Sequence, residues 1–414
     1  MQSRPRPRAP SSVLSRRALL ALPLAAPLAT PVFGQRPGKL RITRFETHRA
    51  TLRWRDLLFL EVHTDQGLTG LGEATLEGHT EEVEAALRWL EPGYVGLDPA
   101  GPEEHWNRSY YQASRWRNGP AGMSALSAVD IALWDLEGKR LGVPVARLLG
   151  GPIHREARVY YTHWGASLES RRTPEAFAEW ATQTLQAGWT AVKWTLDATG
   201  SEATRTAKSL AEIEAVRKAV GAKLDICLEA AETFTVRSAI QFARAVAPLK
   251  PLFLEEPTLR ENPAGLGEVA ARSPVPIATG EGLFSRFEFR TLLEAHGAAI
   301  IQPDVLHAGG ITEIRKIANL AETYGVEIAP HQCSGPIGHV ASLAAMSVCR
   351  NFVLQEWEAA DDAVFHELTE GTYPLQKNGL VTIPDRPGLG IAVNFVEFKK
   401  RFPYRGIRRG ALVK

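Results

Sequence analysis

The sequence predicts an α/β protein in which a smaller domain precedes a (β/α) barrel. Two observations predict the barrel. Apolar, strand-like runs each lead to a polar residue, and successive polar residues are 36, 26, 26, 23, 27 and 25 positions apart. The segments between them have the apolar spacing of helices, so each step fits one strand, one helix and two short loops. The polar residues at the seven strand ends are Lys193, Glu229, Glu255, Glu281, Asp304, His331 and Glu356.

The predicted sheet is parallel because a helix follows each strand. Residues 280–331 contain two complete steps of this pattern. In such sheets the side chains at the carboxyl ends of the strands converge on a ligand. We therefore expect the seven polar residues to share one functional rim.

The first 34 residues predict a signal peptide. They contain five arginines and no acidic residue, and the pair Arg16-Arg17 directly precedes an apolar run of sixteen residues. A twin arginine in this position is typical of proteins exported in the folded state. The alternative is an anchoring helix, but a membrane span needs about 20 apolar residues. We expect cleavage near Gly34 and a periplasmic or secreted protein.

Composition restricts the class of partner. Loss of the five leader arginines changes the formal net charge from +2 to about −3, which leaves no basic field for nucleic acid or a membrane surface. The three cysteines have neither metal-ligand spacing nor a disulfide framework. We expect Cys227, inside a strand, to be a small core residue. The expected partner is a small molecule.

The smaller domain is predicted over residues 39–155. Residues 58–63 and 68–73 form a hairpin pattern around a Gly-containing turn. An amphipathic helix follows, and its Trp134 is expected in the core. The polar, cationic residues 47–56 lie between two strand patterns. They predict either a loop that closes over an anionic substrate or an ordinary solvated hairpin loop.

The barrel is predicted over residues 156–369. Gly151-Pro152 marks the boundary, and residues 157–161 form the first strand pattern. The final segment, residues 370–410, is expected to join the smaller domain, with residues 379–394 packing against it as an extended return.

Three of the strand-end residues predict a metal site. Glu229, Glu255 and Glu281 end successive strands, and oxygen ligands without Cys or His suit Mg²⁺. Three carboxylates that converge without a cation would repel one another. The alternative is that each glutamate is a helix N-cap or an ion-pair partner.

The next two strands predict a base. An acid beside an imidazole fixes its tautomer, so Asp304 and His331 are expected to form a catalytic pair. Glu356 is expected to bind or orient a substrate oxygen, unless it is a surface carboxylate. Lys193 is expected to neutralise a substrate carboxylate or carry a proton, unless it is simply solvated.

A metal triad beside a base predicts one first step. A metal bound to a substrate carboxylate acidifies the α-proton by stabilising the enediolate, and His331 would remove that proton. Return of the proton gives racemisation, whereas loss of a β-hydroxyl gives dehydration.

At this point the chain resembles a known family over about residues 40–403. It is similar to the mandelate racemase and muconate lactonizing enzyme family of the enolase superfamily, and within it to galactonate dehydratases and related sugar-acid dehydratases. The motifs are residues 253–257 (FLEEP), 280–297 (GEGLFSRFEFRTLLEAHG), 302–304 (QPD), 307–312 (HAGGIT), 329–331 (APH), 335–337 (GPI), 355–356 (QE) and 388–391 (GLGI).

The resemblance implies a (β/α)₇β barrel with an α+β capping domain, often in an oligomer. It also implies a role for each motif residue. Glu229, Glu255 and Glu281 would bind Mg²⁺, Asp304 and His331 would be the dyad, and Glu356 would bind an oxygen of the intermediate.

Two positions depart from the family pattern. Ala231 stands where galactonate dehydratases have a histidine general acid, and Thr195 stands where racemases have a second lysine. The first departure puts galactonate itself in question, and the second disfavours two-base racemisation. Assistance by His331 itself or by Glu232 is a hypothesis for the missing acid.

The sequence therefore predicts a secreted, Mg²⁺-dependent dehydratase of an aldonate- or uronate-type acid sugar, giving a 2-keto-3-deoxy acid. One alternative is a racemase, epimerase or cycloisomerase that uses the same enediolate. An alternative of another class is a non-catalytic periplasmic sugar-acid binding protein. Substrate specificity is expected in loops such as residues 47–56 and the segment around His163.

Overall fold

The computed structural model describes residues 39–112, 115–197 and 199–407. The predicted signal peptide lies outside the described residues. Within the described ranges, no helix has the length and apolar character needed to cross a membrane.

The N-terminal part is a three-stranded antiparallel sheet packed on helices. Its strands are β1 (Ile42–Leu52), β2 (Arg55–Thr64) and β3 (Thr69–Glu73), in the order β1-β2-β3. Its helices are α1 (Thr80–Leu90), α2 (Pro102–Gln112), α3 (Pro120–Leu141) and α4 (Val145–Leu148). The predicted hairpin of β2 and β3 is confirmed. Gly72 allows β3 to approach α3, because a Cβ there would lie 2.1 Å from the carbonyl oxygen of Ala128.

Residues 47–56 are mostly strand. They form the end of β1, a turn at Arg53 and Trp54, and the start of β2. The prediction of a loop that closes over substrate is therefore wrong. The two strands pair in register through this segment, from Thr47 opposite Leu60 to Leu52 opposite Arg55, and Arg55 is fully buried in an ion pair with Asp361 rather than exposed.

The barrel contains eight parallel strands in the described residues. They are β4 (Glu156–Tyr161), β5 (Ala191–Thr195), β6 (Asp225–Glu229), β7 (Phe253–Glu255), β8 (Ile277–Thr279), β9 (Ile300–Ile301), β10 (Glu327–Ile328) and β11 (Gln355–Trp357). Neighbours in sequence are neighbours in the sheet, and β11 pairs with β4. A parallel bridge between Ile328 and Phe352 joins β10 to the chain that enters β11, which closes the ring.

The helices follow the strands as the sequence predicts. They are α5 (Pro174–Gln186), α6 (Glu202–Val220), α7 (Val236–Val246), α8 (Pro263–Arg272), α9 (Arg286–Glu294), α10 (Gly310–Thr323), α11 (Pro336–Met346) and α12 (Asp362–Leu368). Short 3₁₀ segments lie at Glu91–Gly93, Ala166–Arg171, Gly221–Lys223, Ala247–Leu249 and Ala359–Asp361.

The barrel interior is filled by side chains. One buried cluster takes a residue from each strand or its adjoining position: Tyr160, Ala191, Cys227, Phe253, Ala278, Ile300, Ala329 and Leu354. Such a layer is a packed core rather than a channel. The prediction that Cys227 is a core residue is confirmed. Trp134 likewise packs against the core and donates from Nε1 to Thr312 Oγ1.

The C-terminal segment contacts both parts of the molecule. Strand β12 (Leu380–Thr382) pairs antiparallel with β4 of the barrel, so the prediction that residues 379–394 pack on the smaller domain is wrong for this stretch. Further on, the backbone N–H of Leu389 donates to Asp135 of α3. The last helix, α13 (Phe395–Arg401), packs against β1, with Phe395 stacked on His48.

Glu73 joins the N-terminal sheet to the barrel. Its Oε1 accepts the backbone N–H of Gly335 at 2.7 Å, and its Oε2 accepts that of Gly338 at 2.9 Å. Both N–H groups belong to the start of α11, so this buried carboxylate caps the helix that follows His331.

Candidate active site

The strand-end residues lie at one end of the barrel, as the sequence predicts. A cavity of about 870 Å³ opens there, a volume that suits a small-molecule site. The predicted residues that line it are Lys193, Glu229, Glu281, His331 and Glu356. The other two, Glu255 and Asp304, are fully buried beside them. Residues 47–56 contribute no side chain to the cavity lining.

The three glutamates converge on one point. Glu229, Glu255 and Glu281 each offer a carboxylate oxygen, and these oxygens lie within 4.8 Å of one another. Glu229 and Glu255 are direct neighbours across β6 and β7. The sheet therefore brings together the carboxylates that the strand spacing predicted.

The electrostatics of the three glutamates fit a divalent cation. Burial and the charge of Glu255 raise the pKa of Glu229 well above its ordinary value. Oε2 of Glu255 is buried and has no hydrogen-bond partner among the described residues. An all-oxygen donor set is the kind that Mg²⁺ prefers. The adjacent Glu256 adds to the local charge, since burial and the charges of Glu281 and Glu255 raise its pKa to about 9.

A second carboxylate cluster lies on the N-terminal sheet and differs in its surroundings. Glu46, His48 and Glu61 also bring ligand atoms within 4.8 Å of one another. Arg44 pairs with Glu46 at 2.6 Å, and Lys399 Nζ lies 3.2 Å from His48 Nδ1. None of these three residues lines the cavity, so this cluster gives no comparable indication of a catalytic metal.

Lys193 is an internal counter-ion of the site. Its Nζ lies 2.6 Å from Glu255 Oε1, 2.9 Å from Glu356 Oε1 and 4.0 Å from Glu229 Oε2. Burial would lower the pKa of Lys193, but the charges of Glu255 and Glu356 outweigh it and raise that pKa well above its ordinary value. Lys193 is thus charged and paired rather than solvated.

His331 and Asp304 form the predicted pair. Nδ1 of His331 lies 2.7 Å from Asp304 Oδ2, and the other ring nitrogen, Nε2, lies 3.4 Å from Glu281 Oε2. A carboxylate can only accept, so Nδ1 carries the hydrogen and Nε2 faces the cavity. Burial opposes protonation, but Glu281 and Glu356 raise the pKa of His331 well above its ordinary value.

Glu356 is a buried side chain that faces the site, not a surface carboxylate. Its Oε1 accepts from Thr162 Oγ1 at 2.5 Å and lies beside Lys193, while its Oε2 accepts the backbone N–H of Gln332 at 2.9 Å. Burial would raise the pKa of Glu356, but the positive charges of Lys193 and His331 hold it below its ordinary value.

The two departures from the family pattern are visible in the site. Ala231 lines the cavity with a methyl group, which cannot transfer a proton. Glu232 does not line the cavity, and its Oε1 accepts the backbone N–H of Arg260 at 3.0 Å. The structure therefore does not bring Glu232 to the position that the missing acid would need.

His163 lines the cavity, in the segment where the sequence predicts substrate specificity, whereas Thr162 and Cys333 were not assigned a role from the sequence. Thr162 directly follows β4, so the strand-end rule could have found it. Cys333 Sγ lies 3.5 Å from His331 Nε2, and His331 in turn sits between Asp304 and the cavity. No spacing pattern indicated Cys333, because it lies in a loop two residues past His331.

Both parts of the chain match models of known protein families. Residues 36–150 match the N-terminal domain of mandelate racemase / muconate lactonizing enzyme, and residues 176–397 match the enolase C-terminal domain-like model. Together these matches cover most of the chain, including all seven of the predicted strand-end residues.

Individual relatives agree with this assignment. D-galactonate dehydratase of Variovorax paradoxus is 35% identical over 362 residues, covering 86% of this chain and 92% of the relative. The enzyme of the same name from Verminephrobacter eiseniae is 37% identical over 365 residues, with the same coverage.

Solved structures share the whole architecture. A member of the enolase superfamily from Salmonella Typhimurium superposes with a TM-score of 0.81 at 28% identity, covering 88% of this chain and 98% of that one. A mandelate racemase/muconate lactonizing enzyme-like protein from a Roseovarius species gives a TM-score of 0.82 at 29% identity, covering 89% and 96%. The chain therefore belongs to the mandelate racemase/muconate lactonizing enzyme family of the enolase superfamily.

Proposed function

We propose that this protein is a Mg²⁺-dependent dehydratase of an aldonate- or uronate-type acid sugar, and that its product is a 2-keto-3-deoxy acid. One observation carries the proposal. Nε2 of His331, held by Asp304, lies 3.4 Å from Glu281, so a base and a set of three carboxylates face the same cavity. That arrangement suits removal of a proton α to a carboxylate.

Glu229, Glu255 and Glu281 would hold the cation. When bound, Mg²⁺ would offset the negative charge that develops on the substrate carboxylate as the α-proton leaves. The unpartnered Oε2 of Glu255 and the raised pKa of Glu229 support this assignment, because both indicate a missing positive charge.

The side chains of this protein carry out the remaining steps. His331 accepts the α-proton at Nε2, and Asp304 stabilises the resulting imidazolium through Nδ1–H. Lys193 and Thr162 hold Glu356 against the substrate side of the cavity, where its carboxylate orients a substrate oxygen. Departure of the β-hydroxyl as water leaves an enol, which becomes the 2-keto acid.

The relatives support the substrate class. Those with 35–37% identity are named D-galactonate dehydratases, so an acid sugar is the class we infer. Ala231 separates this chain from the galactonate pattern, and galactonate is therefore one member of the test panel rather than the assigned substrate.

A two-base racemase would need a second base opposite His331. Lys193 is the nearest candidate by sequence, but its ammonium is bound to Glu255 and Glu356 and its pKa is raised. This favours dehydration over racemisation.

The proposal is tested by incubating the mature protein with Mg²⁺ and a panel of acid sugars and following α-keto acid formation. Keto acid that depends on metal, by EDTA treatment, and on the base, by His331→Asn, is the expected result. α-Proton exchange in D₂O without keto acid would replace the dehydratase by a racemase or epimerase. If neither keto acid nor proton exchange is observed, the non-catalytic binding protein becomes the better interpretation.

We also propose that the protein is exported folded and acts as a homo-oligomer outside the cytoplasm. Arg16-Arg17 and the apolar run after them support export. Replacing both arginines by lysine should leave an uncleaved cytoplasmic precursor, and cell fractionation checks this. Light scattering of the mature protein checks the oligomer.

A further inference from the structure

A second imidazole–carboxylate pair faces the same cavity. His163 follows β4 directly and lines the cavity, and its Nδ1 lies 2.6 Å from Oε2 of Glu358. The side chain of Glu358 is completely buried. The pair repeats the arrangement of His331 and Asp304, in which Nδ1 and a buried carboxylate are 2.7 Å apart.

The Glu358 contact fixes the orientation of the imidazole. A carboxylate accepts hydrogen bonds, so Nδ1 of His163 carries a hydrogen and Nε2 is the nitrogen left for a ligand. The ring of Trp54 packs edge-on against His163 at 4.9 Å between centroids and restrains the ring plane. Arg53 lies 3.7 Å from the other oxygen of Glu358, so the carboxylate has a positive neighbour as well.

The backbone of His163 is held in an uncommon conformation. Its φ is +47°, in the left-handed region that residues with a Cβ seldom adopt. Such conformations cost free energy and concentrate at functional sites. The neighbouring Thr162 donates to Glu356, which ties this turn to the predicted site.

We propose that His163, positioned by Glu358, is the general acid that protonates the departing β-hydroxyl. The inference rests on the proposed dehydratase function and supplies the acid that Ala231 cannot provide. Protonated His163 gives its Nε2 proton to the β-oxygen while the C–O bond breaks and its electron pair stays with oxygen, forming water. The electron pair of the enediolate forms the Cα–Cβ double bond.

The protons gained and lost by the two histidines balance over one turnover. His331 ends with the former α-proton, and His163 ends as neutral imidazole. Loss of one proton from His331 to solvent and gain of one by His163 restore the starting state.

The test compares hydroxide with a leaving group that needs no acid. His163→Gln should lower keto acid formation from the acid sugar by roughly 10²–10⁴-fold, the usual contribution of a general acid. Exchange of the α-proton in D₂O, which depends on His331, should persist in the variant. With the β-deoxy-β-fluoro analogue of the same sugar, the variant and the wild type should release fluoride at rates within about threefold.

Two further variants complete the design. Glu358→Gln should slow hydroxide loss while sparing fluoride loss, because Glu358 acts only by positioning the imidazole. His296→Gln is the matched control: His296 is exposed and has a φ of +51°, so it tests the same replacement in the same backbone conformation away from the site. It should leave all three rates unchanged.

The outcomes are distinct. If His163→Gln slows water loss, fluoride loss and exchange equally, or slows none of them, His163 is not the acid. If His163→Gln does not fold, the same comparison of rates in Glu358→Gln decides. Failure of the wild type to form keto acid from any acid sugar would instead overturn the proposed function on which the inference rests.

Discussion

Nδ1 of His331 lies 2.7 Å from Oδ2 of Asp304, while Oδ1 of the same carboxylate accepts the backbone N–H of Leu306 at 2.6 Å. Both oxygens of Asp304 are therefore used as acceptors. This double use makes the pair sensitive to an isosteric change.

Asp304→Asn should inactivate the protein without unfolding it. Asparagine has one acceptor, so if its oxygen keeps the Leu306 contact, its NH₂ faces Nδ1 and forces the hydrogen of His331 onto Nε2. A base with the hydrogen on Nε2 cannot take the α-proton. We expect kcat to fall roughly 10²–10⁴-fold with little change in KM. Steady-state kinetics check this, and a fall of less than tenfold would contradict it.

Glu229→Gln should abolish the stabilisation by Mg²⁺. A saturating ligand at 100 times its Kd adds about 2.7 kcal/mol to the free energy of unfolding, and the variant should lose most of that gain. In EDTA the variant should be at least as stable as the wild type, because the pKa of Glu229 is already raised by burial and Glu255.

Thermal unfolding with EDTA or Mg²⁺ measures both effects of the Glu229 change. Glu261→Gln is the control, since this carboxylate at the cavity rim is 72% exposed and should not alter the Mg²⁺ response. An unchanged response in Glu229→Gln would remove Glu229 from the metal site.

Arg55→Met should cost about 3–5 kcal/mol of stability, the usual effect of removing one partner of a buried ion pair. Arg55 is fully buried and donates to Asp361 at 2.8 Å and to the carbonyl of Ser334 at 2.7 Å. Arg53 contacts the same Asp361 at 3.2 Å but is 40% exposed, so Arg53→Met should cost no more than about 1 kcal/mol. Urea unfolding compares the two.

A double variant tests the reason given for Arg55. In Arg55→Met/Asp361→Asn both charges are gone, so the loss should be smaller than in Arg55→Met alone. An equal or larger loss would show that packing of the Arg55 side chain, rather than the loss of its charge beside Asp361, causes the effect.

His339 should make the fold less stable in mild acid. Burial lowers its pKa from 6.5 to about 4, and the neutral ring is held by Gln332 and Tyr373. The unfolded chain therefore binds more protons between these two values, so stability is lost as pH falls from 6.5 towards 4. From pH 7 to pH 5 this one group contributes a loss of about 2 kcal/mol.

The His339 contribution is measured by difference. His339→Gln removes the titrating ring, so its free energy of unfolding should fall less than that of the wild type between pH 7 and pH 5. The variant starts from a lower stability at pH 7 because it loses the stacking on Trp357. Parallel pH dependences for the two proteins would contradict the assignment.

The barrel and its rim could be predicted from the sequence because each apolar strand ends at a charged residue. An apolar strand buried on both faces tolerates a charge only where it emerges, as at Glu229 and Glu281. The spacing between such positions is set by one helix and one strand, so the order and the common rim follow. Which side chains lie within hydrogen-bond distance does not follow, and Lys193 was not expected to bridge Glu255 and Glu356.

The spacing of residues along the sequence could not predict contacts between residues that are far apart in the chain. Arg55 was assigned to a polar loop because it lies in a run of polar and cationic residues, and its partner Asp361 lies 306 positions away. The pairing of β12 with β4 was missed for a similar reason. A three-residue strand carries too little pattern to specify its neighbour, which is chosen by the tertiary structure.

Glu73 makes the start of α11 in the barrel depend on the N-terminal sheet. A chimera that takes its N-terminal sheet from a relative lacking a carboxylate at this position would leave the N–H groups of Gly335 and Gly338 without acceptors. The affected helix begins five residues after His331, so the damage would reach the base itself. Substrate preference in this protein is therefore expected to change more readily by substitution of residues that line the cavity than by exchange of the whole N-terminal domain.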